Sequence, residues 1–276
     1  MKTLAFALGL ACIASTAHAD PLPIHLDGRG WLDVQGRFGF LQGSGDASAW
    51  CFAPRVDVLI PINPSSGVLL QWGLAYASVS AGTLDESGSD SRLAVDNLFA
   101  GYALALGSNV RFTPGLVLPL ASVSDDNLDD AVAEVVTYAL VGGAAGLHEL
   151  WLYLPETFAI VLPLALHEPL SGDDVWLESR VAGALLFPSS DVSNDDLELY
   201  IDLEIALRAS IARIAIGSGW IPTQDHDNAV VTASLGVVFP AGRGHIHADV
   251  MFTLDEPRFF DDGAIPSFAL GYTTPL

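Results

Sequence analysis

The chain has 276 residues, 51% hydrophobic and only 16% charged, and a net charge of −22 from 33 acidic against 11 basic residues. That acid excess excludes a nucleic-acid partner, and a single cysteine beyond the leader, Cys51, excludes an intramolecular disulfide. High apolarity without any run near the roughly 18 residues that a spanning helix needs leaves a large exported β-fold or a membrane β-barrel.

Met1-Lys2-Thr3, an apolar run from Leu4 to Ile13, and Ser15-Thr16-Ala17-His18-Ala19 describe a secretory signal peptide cut after Ala19. Residues 1–19 are thus expected to be removed, and 20–276 form one exported domain. Leu10-Ala11-Cys12 approaches a lipoprotein box. Gly9 stands where that box needs a large aliphatic residue, so lipidation is not expected.

The mature chain then alternates. The first strand, Gly30–Gln42, puts Leu32, Val34, Phe38 and Phe40 on one face and Asp33, Gln35 and Arg37 on the other. Cys51–Asn63 sets Val56, Val58, Ile60 and Ile62 against Arg55 and Asp57. Val68–Ala81 sets Leu70, Trp72, Leu74 and Tyr76 against Gln71, Gly73 and Ala75. Leu93–Val123 reads as a hairpin about Gly107-Ser108-Asn109, with Leu98, Tyr102, Leu104, Phe112, Leu116 and Leu118 on the greasy side and Arg111 opposite.

Residues 124–156 are the longest interruption. Val132, Val135, Val136, Ala139 and Leu140 recur at helical spacing, which predicts a helix over 129–141 ended by Gly142-Gly143. His148–Leu154 also alternates. If it is an extra hairpin the strand count rises from twelve to fourteen. A helix here folds into the lumen or sits on the rim.

Thr157–His167, Val175–Phe187, Leu197–Arg208, Ile211–Ile221, Ala229–Pro240, His245–Leu254 and a final strand bearing Phe268, Leu270 and Tyr272 complete the count. Long acidic connections alternate with tight turns, and the sixth, near residues 168–174, is looser than the other turns. Twelve strands, short links on one side and long loops on the other predict a single closed, antiparallel, up-and-down transmembrane β-barrel. Trp50, Trp72, Tyr76, Trp151, Tyr153 and Trp220 would form an outer aromatic belt, and Tyr102, Phe112, Phe239 and Tyr272 an inner one.

If the apolar faces meet lipid, the other faces line the lumen, because a charge facing hydrocarbon near the midplane costs about 2–4 kcal/mol. The predicted lumen residues are Arg37, Arg55, Asp57, Arg111, Glu178, Arg180, Asp202, Glu204, Arg208, Arg213, His245, His247 and Asp249. They make either a solute-selecting constriction or a structural ion-pair network. His245, His247 and Asp249 share one face, as acid–base groups or metal ligands must, but lumen polarity accounts for them equally. Asp125, Asp126, Asp129 and Asp130 are the best calcium candidate. They lack the glycine and distal glutamate of a calcium-binding hand, so neither a metal nor a cofactor is expected.

Val58-Leu59-Ile60-Pro61-Ile62, Val117-Leu118-Pro119-Leu120, Val161-Leu162-Pro163-Leu164 and Val238-Phe239-Pro240 share a strand-end signature. With the leader and the alternating strands, the chain resembles Gram-negative outer-membrane β-barrels of the transporter or porin kind. That resemblance implies an outer-membrane location, lipid around the wall and a barrel-assembly machinery during biogenesis. The chain departs from it at Leu276, where such barrels end in an aromatic residue. The expected function is a passive or weakly selective channel for small solutes, not an enzyme. The alternatives are a barrel-embedded hydrolase using lumen or rim residues, and a non-transporting anchor, adhesin or receptor working through acidic loops.

Overall fold

A computed structural model describes residues 29–42, 48–82, 87–123, 128–145, 148–171, 174–189, 197–220, 229–254 and 266–276. The expected leader (1–19), Asp125, Asp126 and most of the acidic loop residues lie outside them, as do the side chains of Asp129 and Asp130.

The strands are β1 (Trp31–Gln42), β2 (Ser48–Asn63), β3 (Ser66–Gly82), β4 (Ser87–Val95), β5 (Leu98–Ala105), β6 (Val110–Phe112), β7 (Gly115–Leu118), β8 (Thr157–Ser171), β9 (Val175–Pro188), β10 (Glu198–Ala209), β11 (Ala212–Trp220), β12 (Val230–Ala241), β13 (Gly244–Thr253) and β14 (Ser267–Pro275). Each pairs antiparallel with its neighbours. β1 pairs with β14, Val34 opposite Tyr272, so the sheet closes on itself. Closure leaves no row of unpaired amides to face hydrocarbon.

The fourteen segments make twelve wall strands. β4 and β5 are halves of one strand, both paired with β3 and separated at Asp96-Asn97. β6 and β7 are halves of another, broken where Pro114 has no N–H to donate. The flanking bonds, Thr113 N–H to the Pro163 carbonyl and Tyr102 N–H to the Pro114 carbonyl, are both 2.8 Å, and the register runs straight through. The sixth link is tighter than the sequence implied. β8 does not stop at His167 but runs to Ser171, passing Pro169 by a register shift.

Outward side chains are large and apolar, and they are exposed: Leu203 41%, Ile205 49%, Ile216 60% and Leu235 58%. A stacked sandwich would have hidden these side chains between its sheets. Phe40, Trp50, Trp72 and Trp220 are exposed on the same surface, as are Tyr102 and Tyr272 toward the short-turn end. The latter two cap turns, Tyr102 donating to Ser66 Oγ at 3.0 Å and Tyr272 to the Ala241 carbonyl at 3.2 Å. The expected belts need one correction: Trp151 (1% exposed) and Tyr153 (6%) are buried and do not face lipid.

Those two residues belong to a segment that enters the barrel from the long-loop end. Helix α1 (Leu128–Ala144) and a 3-10 turn, Leu150–Leu152, lie against the inner wall. The helix outruns its predicted end: Gly142 and Gly143 are buried and stay helical, Gly142 lying under Leu150 and Tyr153 of the same segment. Inward positions of β2, β3 and β4 there are small: Ala49, Cys51, Ala53, Ala75, Ala77 and Ala94. They leave room for Tyr138, Leu140 and Val141. Cys51 Sγ reaches the Leu140 carbonyl at 3.5 Å, and the Tyr138 hydroxyl donates to the Val95 carbonyl at 3.0 Å. Packing against a small-residue wall therefore decides between rim and lumen: the lumen is where the apolar helix face finds partners.

Candidate functional site: a charged lumen beneath a docked plug

Residues 148–154 form the deep end of the plug, and wall residues hold several of their polar groups. Asn97, wholly buried in the break between β4 and β5, donates to the carbonyls of Trp151 (3.0 Å) and Leu154 (2.6 Å). It accepts from the Ala121 amide at 2.9 Å, and its own N–H goes to the Leu152 carbonyl at 2.9 Å. Here the wall strand diverts its hydrogen bonding from the ladder to the plug. The Trp151 ring meets Tyr200 edge-on, with centroids 5.8 Å apart.

His148 sits in a notch of the wall. Its Nδ1 lies 2.6 Å from Asp202 Oδ1 and its Nε2 3.1 Å from Thr232 Oγ1. The notch exists because position 217 is glycine: a Cβ there would stand 2.4 Å from the imidazole Cε1.

Glu149 is buried at this end of the plug. Its Oε1 accepts from Arg180 Nη2 at 2.7 Å and from Gln71 Nε2 at 3.5 Å, and its Oε2 accepts from Arg55 Nη1. Its backbone is left-handed (φ 54, ψ 37), a conformation that costs a non-glycine residue about 1–2 kcal/mol. The Glu149 amide offsets part of that by donating to Asp202 Oδ2 at 3.2 Å. Burial by itself would raise the Glu149 carboxyl. Arg180 and Arg55 overcome it and hold the group well below the usual carboxylate range.

Below the plug lies a cavity of about 320 Å³. Ten of the thirteen predicted lumen residues line it: Arg37, Arg55, Asp57, Arg111, Arg180, Asp202, Glu204, Arg213, His247 and Asp249. Asp33 joins them, 2.8 Å from His247 Nε2 and accepting from the Thr273 hydroxyl at 2.6 Å. Arg55 is bidentate on Asp57, at 2.7 and 2.6 Å. Arg37 is 3.7 Å from Asp249, and Arg180 3.7 Å from Asp202.

The other three residues sit apart from the cavity. Arg208, 1% exposed, and Glu178, 7%, are buried nearer the short-turn end, 3.7 Å from each other and beside His167. Arg213 links the two groups, reaching Glu178 at 2.9 Å and also Glu204. His245 is half-buried and does not line the cavity. Among the described residues no group of three His, Cys, Asp or Glu side chains converges as metal ligands.

Sequence reasoning missed His148, Glu149 and Asn97 as members of this site. Their signal was present but faint. His148-Glu149 are the only ionisable residues in the stretch from Val135 to Pro155 apart from Tyr138 and Tyr153, and a charge inside an otherwise apolar run needs a buried partner.

No protein-family model matches the chain, and no curated protein sequence does either. Among solved structures it is similar to an outer membrane channel from Pseudomonas putida F1, at 14% identity and a TM-score of 0.53, over 95% of this chain and 100% of that one. It is also similar to LpxR from Salmonella typhimurium, at 8% identity and a TM-score of 0.50, over 88% and 99% of the two chains. At such identities the likeness shows the fold alone, a closed antiparallel β-barrel like those of outer-membrane proteins.

Proposed function

We propose that the protein is an outer-membrane channel, passive or weakly selective, for small polar solutes. One observation carries this reading. The lumen is obstructed by a segment of loop, whereas the wall side chains leave a charged cavity beneath it. A barrel serving only as an anchor has no need of such a cavity, since inward side chains can fill a small lumen. Beyond the apolar packing of α1, the deep end of the plug is held by polar and ionic contacts at Asn97, His148 and Glu149, which water and ions can replace, so release of that end is chemically accessible. In this reading lipid surrounds the exposed apolar girdle, the assembly machinery inserts the chain, and the work needs no cofactor.

The test is conductance of the purified, refolded protein in planar bilayers. Discrete current steps are expected, larger when residues 128–153 are deleted. A silent membrane with both proteins correctly folded refutes the channel.

A hydrolase is the second reading, because Asp202, His148 and Thr232 stand in the order acid, base, hydroxyl. Thr232 is 2% exposed beneath the imidazole, which keeps a substrate carbonyl from its oxygen. The same contacts serve the seating of the plug, and that use fits the geometry better. Hydrolysis of ester substrates abolished by Thr232→Ala would reverse the preference.

A further inference from the structure

The clamp around Glu149 is built by the wall alone. Arg55 from β2 gives its Nη1 and Arg180 from β9 its Nη2 to the two oxygens of this carboxylate, while Gln71 from β3 lies 3.5 Å from it and 3.2 Å from Asp57. Charge-assisted bonds of this kind are about twice as strong as neutral ones. Arg111 lines the same cavity. Over the whole cavity wall five arginines meet five carboxylates, and Arg55 and Arg180 are the two that turn their guanidiniums onto the plug carboxylate.

The occupant is not part of the wall. Glu149 arrives on the plug and adopts left-handed backbone to reach the clamp. The carboxylate therefore sits in a site whose geometry and charge the barrel supplies.

We propose that Arg55, Arg180 and Gln71 form a carboxylate-binding site of the channel, and that Glu149 is a resident carboxylate which a compact solute monocarboxylate exchanges for. This rests on the channel reading above and adds the solute class. Monoanions are favoured over dianions because one charge satisfies the clamp. A second meets Asp33, Glu204 and Asp249 across the cavity. No bond is made or broken in the exchange; one ion pair replaces another.

The experiment uses the full-length refolded protein in detergent, with sodium propionate as probe against sodium chloride at equal ionic strength. The temperature at which the folded band is lost on a heat-modifiability gel is read. In Glu149→Ala, propionate is expected to raise it saturably, at a concentration at least tenfold lower than in the parent, where the resident group competes. Adding Arg180→Gln should abolish the response. Succinate should act more weakly than propionate.

Equal responses to propionate and chloride, or a propionate response that survives Arg180→Gln, overturn the proposal. Should Glu149→Ala not fold, Glu149→Gln keeps the side-chain shape and is expected to show the same lowered propionate requirement, and an unchanged requirement overturns the proposal. Binding in detergent is read without current. A silent bilayer therefore removes the channel reading, and a failed propionate response removes this one.

Discussion

Gly217→Ala puts one methyl group where the imidazole of His148 lies. The added carbon would stand 2.4 Å from Cε1 and 2.5 Å from Nε2, closer than van der Waals contact allows. The wall gives no room either, because the same carbon would stand 3.1 Å from the Leu203 backbone carbonyl. The ring must therefore swing out, and it loses both its bonds: 2.6 Å to the Asp202 carboxylate and 3.1 Å to the Thr232 hydroxyl. A hydrogen bond to a charged group contributes about 1.5–3 kcal/mol and a neutral one about 0.5–1.5. The docked plug is thus expected to lose about 2–4 kcal/mol relative to the undocked one. At 1.4 kcal/mol per factor of ten, that is roughly 30-fold to nearly 1,000-fold in the docking equilibrium.

Cys51 reports the change without further mutation. It is 2% exposed because α1 covers it, with the Leu140 carbonyl 3.5 Å from its sulfur. Maleimide labelling of Cys51 in the folded protein should accelerate by a similar factor, while the barrel itself, whose ladder is untouched, keeps its heat-modifiable migration. Gly183→Ala is the control, since a methyl there meets nothing within 4 Å and should change neither quantity. Unchanged labelling in a folded Gly217→Ala protein would refute the idea that His148 seats the plug.

Three further outcomes are expected. Glu149 has a carboxyl lowered on folding from an ordinary value of 4.5, so its stabilising contribution is complete above that value and is lost only as pH falls well below it. Cys51 labelling should accordingly stay constant from pH 7 to about 5 once corrected for thiolate fraction, and a rise in that window would contradict the Arg55–Arg180 clamp. Phe99→Ala empties a site 1% exposed, where the ring lies over Gly101 and Gly115. It should lower stability by about 3–5 kcal/mol in urea unfolding from lipid vesicles, the range for a fully buried phenylalanine. Leu203→Arg, near the middle of β10 and 41% exposed on the outer face, should cost about 2–4 kcal/mol of folding into vesicles. No measurable cost would mean that this face does not meet hydrocarbon.

The barrel was legible in the chain because each fact it needs is local. A strand buries alternate residues, so Leu199, Ile201 and Leu203 against Tyr200, Asp202 and Glu204 already separate a lipid side from a lumen side. Once lipid claims the apolar side, the inward placement of Arg55, Arg180 and Asp202 follows from the cost of charge in hydrocarbon. The plug was legible only as a helix. Where it lies depends on the small residues of β2, β3 and β4, which are far from it in sequence, and on the break at Asp96-Asn97 that offers it hydrogen bonds. His148 and Glu149 were only faintly marked as site residues for the same reason: a charge in a loop acquires its meaning from whatever stands across from it. The chain alone thus determined which side chains face inward, since that is a matter of period two. Which of them meet, and that Glu149 closes the ring of arginines, was decided by the closing of the barrel, because contact between Arg55, Gln71, Arg180 and Glu149 exists only when four separate segments share one lumen.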